Sequence, residues 1–381
     1  MILKQLSNMT LADIETLVTN AVPEGRTLEY KAQLPGPKDD DKREFLYDIT
    51  SFANTDGGDL IFGVEAKAGV ATAVPGALLA DTLDSTLLRL EGLLASCVEP
   101  RLLGARPRTF DRLGGRVVVV WRVPSSFAAP HRAYFKGVGR FYHRNSRGKA
   151  EMDTHELRAA FTASEGFVPR LAVLHEDAVR AVSDGDLPFP LEQGPRAILS
   201  VIPLSVLREP RELELDHTTA VHPILNQGTD WAYALEGFYI FGVSATSPTG
   251  TFALTRRTGQ VDVSWRAGRE IEDGRKLIWP NAVEEMIGNL TAGAAARLGA
   301  FGIEGPFAVA FTLINAKGFK LQHGFFDASQ GFAMWRDRVT LPILTVDTLE
   351  TEALLPLART FWYAMGERRP DRPLGQGGNP N

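Results

Sequence analysis

The sequence predicts an α+β fold, with two mixed domains following each other along 381 residues. Segments with helical spacing of apolar residues alternate with short apolar or alternating runs typical of strands. Clusters of Gly, Pro and Asp separate these segments, as turns require. Hydrophobic residues make up 44% and charged residues 23%, which is typical of a globular protein. At about 150 residues per domain, the length favours two domains.

The first elements are predicted by caps and periodicity. Thr10 followed by Asp13 is typical of a helix N-cap, so a short helix is expected over 11–20. The stretch "RTLEYKAQL" predicts a strand that ends at the turn "PGPKDDDK". A helix starting near Lys42 then runs to Gly57 and Gly58, and "DLIFGVE" follows as a buried strand.

The rest of the first half continues the mixed pattern. Asp81 begins a third helix with leucines on one face, and "GRVVVVWRV" is an apolar strand. The stretch "AYFKGVGRFYHRNS" predicts a hairpin around two glycines. Asp153 and Glu156 form a capping box for a helix that ends near Ala163. This helix completes the first predicted domain, residues 1–163.

The second half predicts a further α+β domain over 164–366, preceded by "ASEGFVPR" as a linker. Strands are expected at "EGFYIFGVSA", "GTFALTRR", "QVDVSWR" and "PFAVAFTLINA". Helices are expected after Pro280 and over about 347–366. The tail 367–381, rich in Pro and Gly, is expected to be disordered.

The sequence lacks the motifs that are typical of several classes of protein. No apolar run approaches the ~20 residues of a membrane span, and the N-terminus has no signal-peptide core. Cys97 is the single cysteine, so neither a disulfide nor a cysteine-rich zinc site is expected. No G-x4-G-K-[ST] motif for ATP is present. A cytoplasmic protein with no membrane partner is therefore expected.

The largest charge feature is the stretch 101–149, which carries twelve basic residues and one acid, Asp111. Such an excess favours an anionic partner, and ten of the twelve are Arg, whose planar fork suits phosphate. The alternative is an ordinary solvated surface. The residues expected to contact phosphate are Arg140, Arg144, Arg147 and Lys149, followed by Arg132 and Lys136.

The strand "LEYK" carries an acid and a base that could form a second kind of site. Residues i and i+2 of a strand share a face, so Glu29 and Lys31 point the same way. This arrangement is either a surface ion pair or a site that combines a carboxylate with an ammonium. Downstream, "FANTDGGDLIF" is either a helix C-cap and turn, or a loop in which Asn54 and Thr55 face a ligand groove.

Three stretches, in order, resemble the AlbA-like domain of Schlafen proteins and their bacterial relatives. They are "EGRTLEYKAQL", "DITSFANTDGGDLIFGV" and "GRFYHRNSRGKAEMDTHELRAAF". The shared pattern is an acid ahead of E-[FY]-K, a helix ending in A-N-T-x-G-G, a strand ending in G-V, and Tyr-x-Arg before an acidic helix cap. The resemblance covers about residues 10–163 and implies a mixed sheet with helices.

The resemblance implies nucleic-acid binding and, in some Schlafen proteins, a metal-dependent endonuclease that cuts structured RNA such as tRNA. The family's catalytic acids then correspond to Glu24 and Glu29, with Lys31 beside them. The third acid is expected two positions after Gly63-Val64, where Ala66 stands, so Glu65 is the substitute. Glu24, Glu29 and Glu65 would hold Mg²⁺ or Mn²⁺, which prefer oxygen ligands.

Three hypotheses about function follow. The first is a nucleic-acid-binding protein, of RNA or DNA, that contacts phosphates through its basic face. The second is a Mg²⁺- or Mn²⁺-dependent endoribonuclease, with a role in antiphage defence implied by family resemblance alone. The third is an assembly module in which the second domain mediates homo-oligomerisation.

Overall fold

The computed structural model describes residues 1–2, 4–146, 148–207, 212–223, 228–242, 246–323, 327–328 and 332–374. The chain divides into two compact units, Met1–Phe167 and Val168–Asn381. Each unit combines helices with mixed or antiparallel sheets, so the α+β fold class is confirmed.

The N-terminal unit begins with a short 3₁₀ helix, Leu6–Asn8. Its α-helices are α1 (Leu11–Thr19), α2 (Asp39–Ala53), α3 (Leu83–Cys97) and α4 (Thr154–Glu165). Its strands are β1 (Leu28–Lys31), β2 (Gly57–Phe62), β3 (Glu65–Lys67), β4 (Val70–Ala73), β5 (Ala77–Leu78), β6 (Val98–Glu99), β7 (Arg106–Arg112), β8 (Arg116–Pro124), β9 (Arg132–Phe135), β10 (Val138–Asn145) and β11 (Gly148–Glu151).

A five-stranded mixed sheet forms the centre of this unit, in the order β1-β2-β8-β5 with β7 paired to β8. Strands β1 and β2 are parallel, while β8 is antiparallel to its neighbours. One face packs Leu28 and Tyr30 against Ile14 of α1. The other face packs Trp121 against Phe45 of α2. Helices therefore cover both faces of this sheet.

A second, four-stranded sheet has the order β11-β10-β9-β6 and is antiparallel throughout. The ring of Tyr142 on β10 lies 4.3 Å from that of Tyr47 on α2. Phe45 faces the opposite way, into the five-stranded sheet. Helix α2 thus lies between the two sheets and places its polar residues at their junction.

The local predictions for this unit hold at the helix caps and fail at the linker. Thr10 with Asp13, and Asp153 with Glu156, both form reciprocal capping boxes. The stretch "ASEGFVPR" is helical instead of a linker: α4 ends at Glu165, and the next helix starts two residues later. Gly166 there has an ordinary helical φ of −78°, so it does not break the chain direction as a turn glycine would.

In the described part of the C-terminal unit the α-helices are α5 (Phe167–Asp184), α6 (Pro280–Ala300) and α7 (Thr351–Ala364). Its strands are β12 (Arg196–Pro203), β13 (Thr229–Tyr233), β14 (Gly237–Gly242), β15 (Thr251–Arg256), β16 (Val261–Arg266), β17 (Gly268–Glu270), β18 (Lys276–Ile278), β19 (Phe307–Ile314), β20 (Lys320–His323), β21 (Asp327–Ala328), β22 (Val339–Thr340) and β23 (Leu344–Val346). In the ranges given above, no helix combines the length and apolarity needed to cross a membrane.

An eight-stranded antiparallel sheet organises this unit, in the order β13-β14-β15-β16-β12-β19-β22 with β23 also paired to β19. One face buries Leu199, Val263 and Phe311 under α6 and α7. The opposite face packs Ile198 and Tyr239 against α5. The unit is therefore a sheet covered by helices on both sides.

The chain after α7 differs from the expected disordered tail. The side chain of Arg369 is buried, and its Nε and Nη2 donate to the carboxylate of Glu284 at 2.8 and 3.0 Å. Glu284 also accepts a hydrogen bond from the indole of Trp362 at 2.6 Å. Residues 375–381 lie outside the described residues.

Candidate nucleic-acid interface

The strand β1 brings Glu29 and Lys31 together, as its alternation predicts. Lys31 Nζ lies 3.1 Å from Glu29 Oε1 and 3.3 Å from both Glu44 Oε1 and Asp48 Oδ2. Glu44 and Asp48 are four residues apart on α2, so they share one face of that helix. An ammonium on a strand thus contacts three carboxylates from two elements.

Two further cations complete this group. Lys149 Nζ lies 2.8 Å from Asp48 Oδ1 and 2.9 Å from Glu44 Oε1. Arg144 Nη2 donates to Glu29 Oε2 at 2.6 Å. The group is called the carboxylate cluster below, and its members are Glu29, Lys31, Glu44, Asp48, Arg144 and Lys149. Three acids and three bases give it a formal charge of zero.

Burial and pairing act in opposite directions on the pKa values of the cluster. Burial alone would raise the pKa of Glu29, but the hydrogen bond from Arg144 and the charge of Lys31 hold it below its ordinary value. Burial raises the pKa of Asp48, and Lys149 and Lys31 only partly oppose this. Lys31 is within ion-pair distance of Asp48 Oδ2, yet that oxygen accepts no hydrogen bond within the described chain. Asp48 Oδ2 and Arg144 Nη1 are the two buried atoms of the cluster that have no hydrogen-bond partner in the described chain.

Arg144 is a structural residue. Its side chain has 0% exposure, lies 4.2 Å above the ring of Phe52, and donates to the carbonyl of Gly25 at 3.0 Å. The expectation that Arg144 contacts phosphate is wrong, because no part of its guanidinium reaches the surface. Lys149 is also largely enclosed, at 17% exposure and with two carboxylates in contact.

The three acids expected to bind metal do not meet as one set. Glu24 accepts a hydrogen bond from the backbone N–H of Tyr30 at 2.9 Å, and Glu65 is exposed on β3. Both carboxylate oxygens of Glu29 already contact cations. Within the described ranges, no group of three Asp, Glu, His or Cys residues is placed to hold a metal ion. This donor arrangement does not fit Mg²⁺ or Mn²⁺.

The side chains of the turn after α2 bind neighbouring backbone segments and do not line a ligand groove. Asn54 Nδ2 donates to the carbonyls of His131 and Tyr142, both at 2.9 Å, and Asn54 Oδ1 accepts from the backbone N–H of His131. Thr55 Oγ1 accepts the backbone N–H of Arg144 at 2.9 Å. Gly57 has a φ of +74°, where a side chain would be strained. The helix-cap alternative therefore describes this stretch.

The charge excess of 101–149 is balanced by acids from outside that window. Arg132 pairs with Glu99 at 2.6 Å. Likewise, Lys136 pairs with Asp39, and Arg140 with Glu151, each at 2.5 Å. The acids come from β6, α2 and β11, which the fold brings alongside β9 and β10. A count along the sequence therefore overstates the local charge. Arg147 lies outside the described residues.

Three of these cations nevertheless keep substantial exposure around one turn. Arg132, Lys136 and Arg140 have exposed side-chain fractions of 39%, 66% and 48%. Between them, Tyr134 and Val138 are 46% and 41% exposed. We call this end of the β9–β10 hairpin, residues 132–140, the hairpin tip. The sequence pattern identified its cations as candidates, whereas the exposure of the Tyr134 ring beside them follows only from the fold.

One face of the hairpin tip places an arginine across an aromatic ring. Tyr134 and Gly139 are cross-strand partners, and Arg132 Cζ lies 5.1 Å from the centre of the Tyr134 ring. A Cβ on Gly139 would come within 2.9 Å of Arg132 Cδ. The glycine therefore leaves room for the arginine to lie flat against the strand.

Sequence reasoning also missed the acids of the carboxylate cluster that come from α2. Asp48 lies three residues after Phe45 and four before Phe52, so it interrupts the apolar stripe of the helix. An acid in a buried stripe requires a cationic partner. That signal could have predicted a buried ion pair here, although not its partners Lys31 and Lys149.

The fold and this interface define an α+β domain in which a basic, aromatic hairpin tip stands beside a neutralised carboxylate cluster. Residues 24–153 match the family described as Schlafen, AlbA_2. The N-terminal unit therefore contains a Schlafen AlbA_2-type domain, as the resemblance predicted, although the match spans less than half of the chain. The match supports a function related to nucleic acid.

Two solved structures are similar to part of the chain. The first is the DIP2311 protein from Corynebacterium diphtheriae, at 18% identity and a TM-score of 0.28, covering 42% of this chain and 29% of that chain. The second is the N-terminal domain of a "Putative ATP-dependent DNA Helicase RecG-related Protein" from Nitrosomonas europaea. It has 24% identity and a TM-score of 0.26, covering 36% of this chain and 90% of that chain. This chain spans less than a third of DIP2311. No curated protein matches the chain.

Proposed function

We propose that the N-terminal unit binds nucleic acid through the hairpin tip. The observation that carries the proposal is the presence of three half-exposed cations, Arg132, Lys136 and Arg140, on the same hairpin as the exposed ring of Tyr134, with Arg132 beside that ring. Proteins that bind single-stranded nucleic acid usually combine cations, which contact the phosphate backbone, with an aromatic ring on which a base stacks. The family match gives this surface its context.

The ion pairs at the tip do not block this role. Exposed pairs contribute about 0–1 kcal/mol each, because water and salt screen them. A phosphate can therefore replace Asp39 at Lys136, or Glu151 at Arg140, at little cost. The displaced carboxylates stay close to the phosphates and repel them, so the affinity should be modest at physiological salt. With three phosphate contacts, the logarithm of affinity should fall with the logarithm of salt concentration with a slope of about −2 for single strands.

The exposed ring favours unpaired nucleotides over duplex. A base stacked on an aromatic side chain contributes about 1–3 kcal/mol, and only an unstacked base can reach such a ring. Arg132 already lies beside Tyr134, so it can contact the phosphate next to the stacked base without a large rearrangement. RNA and DNA single strands should both bind.

The carboxylate cluster has a supporting role in this proposal. Lys149 ties β11 to α2, and Arg144 ties β10 to β1. Arg144 lies at the end of β10 that is opposite the hairpin tip, and β11 pairs with β10, so loss of these contacts would disturb binding only through the fold.

The test measures binding of the full-length protein to fluorescein-labelled single-stranded RNA, single-stranded DNA and duplex by anisotropy. The variant Arg132→Gln/Lys136→Gln/Arg140→Gln should weaken single-strand binding by at least about tenfold and flatten the salt slope. The matched control Lys4→Gln/Arg26→Gln/Arg43→Gln removes three other exposed, ion-paired cations of the same unit. It should bind like the wild type.

Two outcomes would count against the proposal. Equal losses in the two triple variants would mean that net charge matters and the hairpin tip does not. Cleavage of labelled tRNA in Mn²⁺, abolished by Glu29→Gln, would instead favour the endoribonuclease hypothesis. The pairing of Glu29 with Arg144 and Lys31 leads us to expect intact RNA.

A further inference from the structure

A cavity in the C-terminal unit is lined by none of the hairpin-tip residues. Its volume is about 310 Å³, and it lies between α5 and strands β14, β15 and β16. Ala178 and Val182 of α5 line one wall, while Tyr239, Phe252 and Leu254 line the floor. This volume is at the small end of the range for ligand pockets. An occupant must therefore be a compact molecule.

Tyr239 is the polar group at the centre of this floor. It is 5% exposed, and its hydroxyl makes no hydrogen bond within the described ranges of the chain. Its ring is held edge-on by Phe189 at 5.6 Å, so its direction is fixed. Burial and the nearby charge of Glu236 raise the pKa of Tyr239 to about 12, so the hydroxyl stays protonated at neutral pH. The hydroxyl can therefore donate a hydrogen bond to a molecule in the cavity or accept one from it.

The floor beneath Tyr239 is closed by a polar network whose members satisfy each other. Asp262 accepts hydrogen bonds from Ser200 Oγ at 2.6 Å, Gln260 Nε2 at 2.8 Å and Arg256 Nε at 2.5 Å. His175 Nδ1 lies 2.8 Å from Ser200 Oγ. We call Asp262, Ser200 and His175 the histidine network. Because Asp262 already neutralises Arg256, the floor offers no free cation to an anionic ligand.

The rim of the cavity is acidic. Asp184, Asp186 and Glu236 line it, and none of the three has an ion-pair partner in the described part of the chain. Arg180, the other cation of the lining, pairs with Asp177 at 2.6 Å. The rim thus carries three uncompensated negative charges above a floor with two aromatic rings.

We propose that this cavity binds a small organic cation that carries a primary ammonium group on a short alkyl or arylalkyl chain. The ammonium can donate a hydrogen bond to the hydroxyl of Tyr239 while its charge faces the carboxylates of Glu236 and Asp186. The rings of Tyr239 and Phe252 suit both the cation and its apolar chain. An anion of the same size would meet three carboxylates, and a neutral analogue would gain nothing from them.

The test uses isothermal titration of the full-length protein with three amines: 1,4-diaminobutane, benzylamine and phenethylamine. Each is paired with a neutral or anionic counterpart, namely 1,4-butanediol, benzyl alcohol or 3-phenylpropanoate. At least one amine should bind saturably at one site per chain, and its counterpart should not. The variants Tyr239→Phe and Glu236→Gln should each weaken that amine by about three- to tenfold.

The control variant Glu272→Gln removes an exposed carboxylate of the same unit that does not line the cavity. It should leave amine affinity unchanged, and circular dichroism should show the same fold for all variants. The proposal is overturned if no amine binds better than its counterpart. It is equally overturned if Tyr239→Phe and Glu236→Gln bind the amine like the wild type, because the amine then sits elsewhere.

Discussion

The two units each contain a buried polar cluster, and the clusters are built on different principles. In the carboxylate cluster, three acids are neutralised by three cations, and part of the group is open to water: Lys31 is 27% and Glu44 is 52% exposed. In the histidine network, His175, Ser200 and Asp262 are 3%, 0% and 3% exposed, and hydroxyls and an imidazole carry most of the hydrogen bonds. The charged groups of the carboxylate cluster are partly hydrated, whereas those of the histidine network are almost fully shielded from water.

The closed network also has a fixed proton order. Ser200 donates its only hydroxyl proton to Asp262, so His175 Nδ1 must be the donor to Ser200. His175 Nε2 lies 2.9 Å from the hydroxyl of Thr312, which itself donates to Thr340 Oγ1 at 3.1 Å. Burial lowers the pKa of His175 and so favours the neutral imidazole. The order differs from that of a hydrolase triad, where the histidine accepts the serine proton. Full burial thus favours one protonation state of His175, and the partly exposed carboxylate cluster has no such constraint.

The largest expected effect is in the carboxylate cluster, where Arg144→Leu should destabilise the N-terminal unit by about 3 kcal/mol or more. The substitution leaves Glu29 half-buried with only Lys31 as a partner, and it removes the guanidinium from above Phe52. Urea unfolding followed by circular dichroism measures the loss.

The matched variant for this prediction is Arg144→Leu/Glu29→Gln. Removing the unpaired charge as well should restore part of the lost stability, so the double variant should be more stable than Arg144→Leu alone. If the double variant is no better, the effect of Arg144 comes from packing on Phe52 and not from its ion pair.

The next effect is a pH dependence in the histidine network. Burial lowers the pKa of His175 from 6.5 to about 4. As the pH falls below 6.5, the imidazole of His175 becomes protonated in the unfolded chain but stays neutral in the folded chain. The free energy of unfolding should therefore be highest above pH 6.5. It should fall progressively as the pH is lowered to about 4, by at most about 3 kcal/mol.

The control for this prediction is His175→Gln, which keeps a donor and an acceptor but cannot titrate. Unfolding free energies of both proteins at about pH 7 and about pH 4.5 isolate the histidine, because all other groups titrate alike in both. Parallel loss of stability in the two proteins would show that His175 is already charged in the fold, which would break the contrast between the clusters.

The smallest effect is expected at the hairpin tip. Lys136→Ala and Arg140→Ala each remove one exposed ion pair and should leave the melting temperature almost unchanged, because water and salt screen such pairs. The change should shrink further in high salt, which thermal melts at two ionic strengths can show. A larger, salt-independent loss would place these side chains in a structural role like that of Arg144.

The sequence predicted the elements whose signals are local. Thr10 and Asp153 cap helices where expected, and "GRVVVVWRV" and "PFAVAFTLINA" are the buried strands β8 and β19. The pattern of Glu29 and Lys31 on one face also held, because a strand alternates by geometry alone. These signals need no knowledge of distant residues.

The remaining features depend on partners that are far away along the chain. Arg144 is buried because Glu29 and Gly25, about 115 and 119 residues earlier, surround its guanidinium. The excess charge of 101–149 is cancelled by acids such as Asp39, 97 residues from Lys136. The helix α5 was missed because Gly166 and Pro169 suggested a linker, although Pro is tolerated in a first helical turn.

The amide of Asn54 has a consequence for the order in which the N-terminal unit assembles. Its two donated hydrogen bonds join residues 77 and 88 positions apart, and the chain between them includes α3 and β8. Closing loops of that length costs entropy before any contact is gained. Helix α2 can form from local contacts, whereas the carbonyls of His131 and Tyr142 meet the amide of Asn54 only when the β9–β10 hairpin packs on the helix. We therefore expect the hairpin to dock late in folding, and the hydrogen bonds of Asn54 to form at that step.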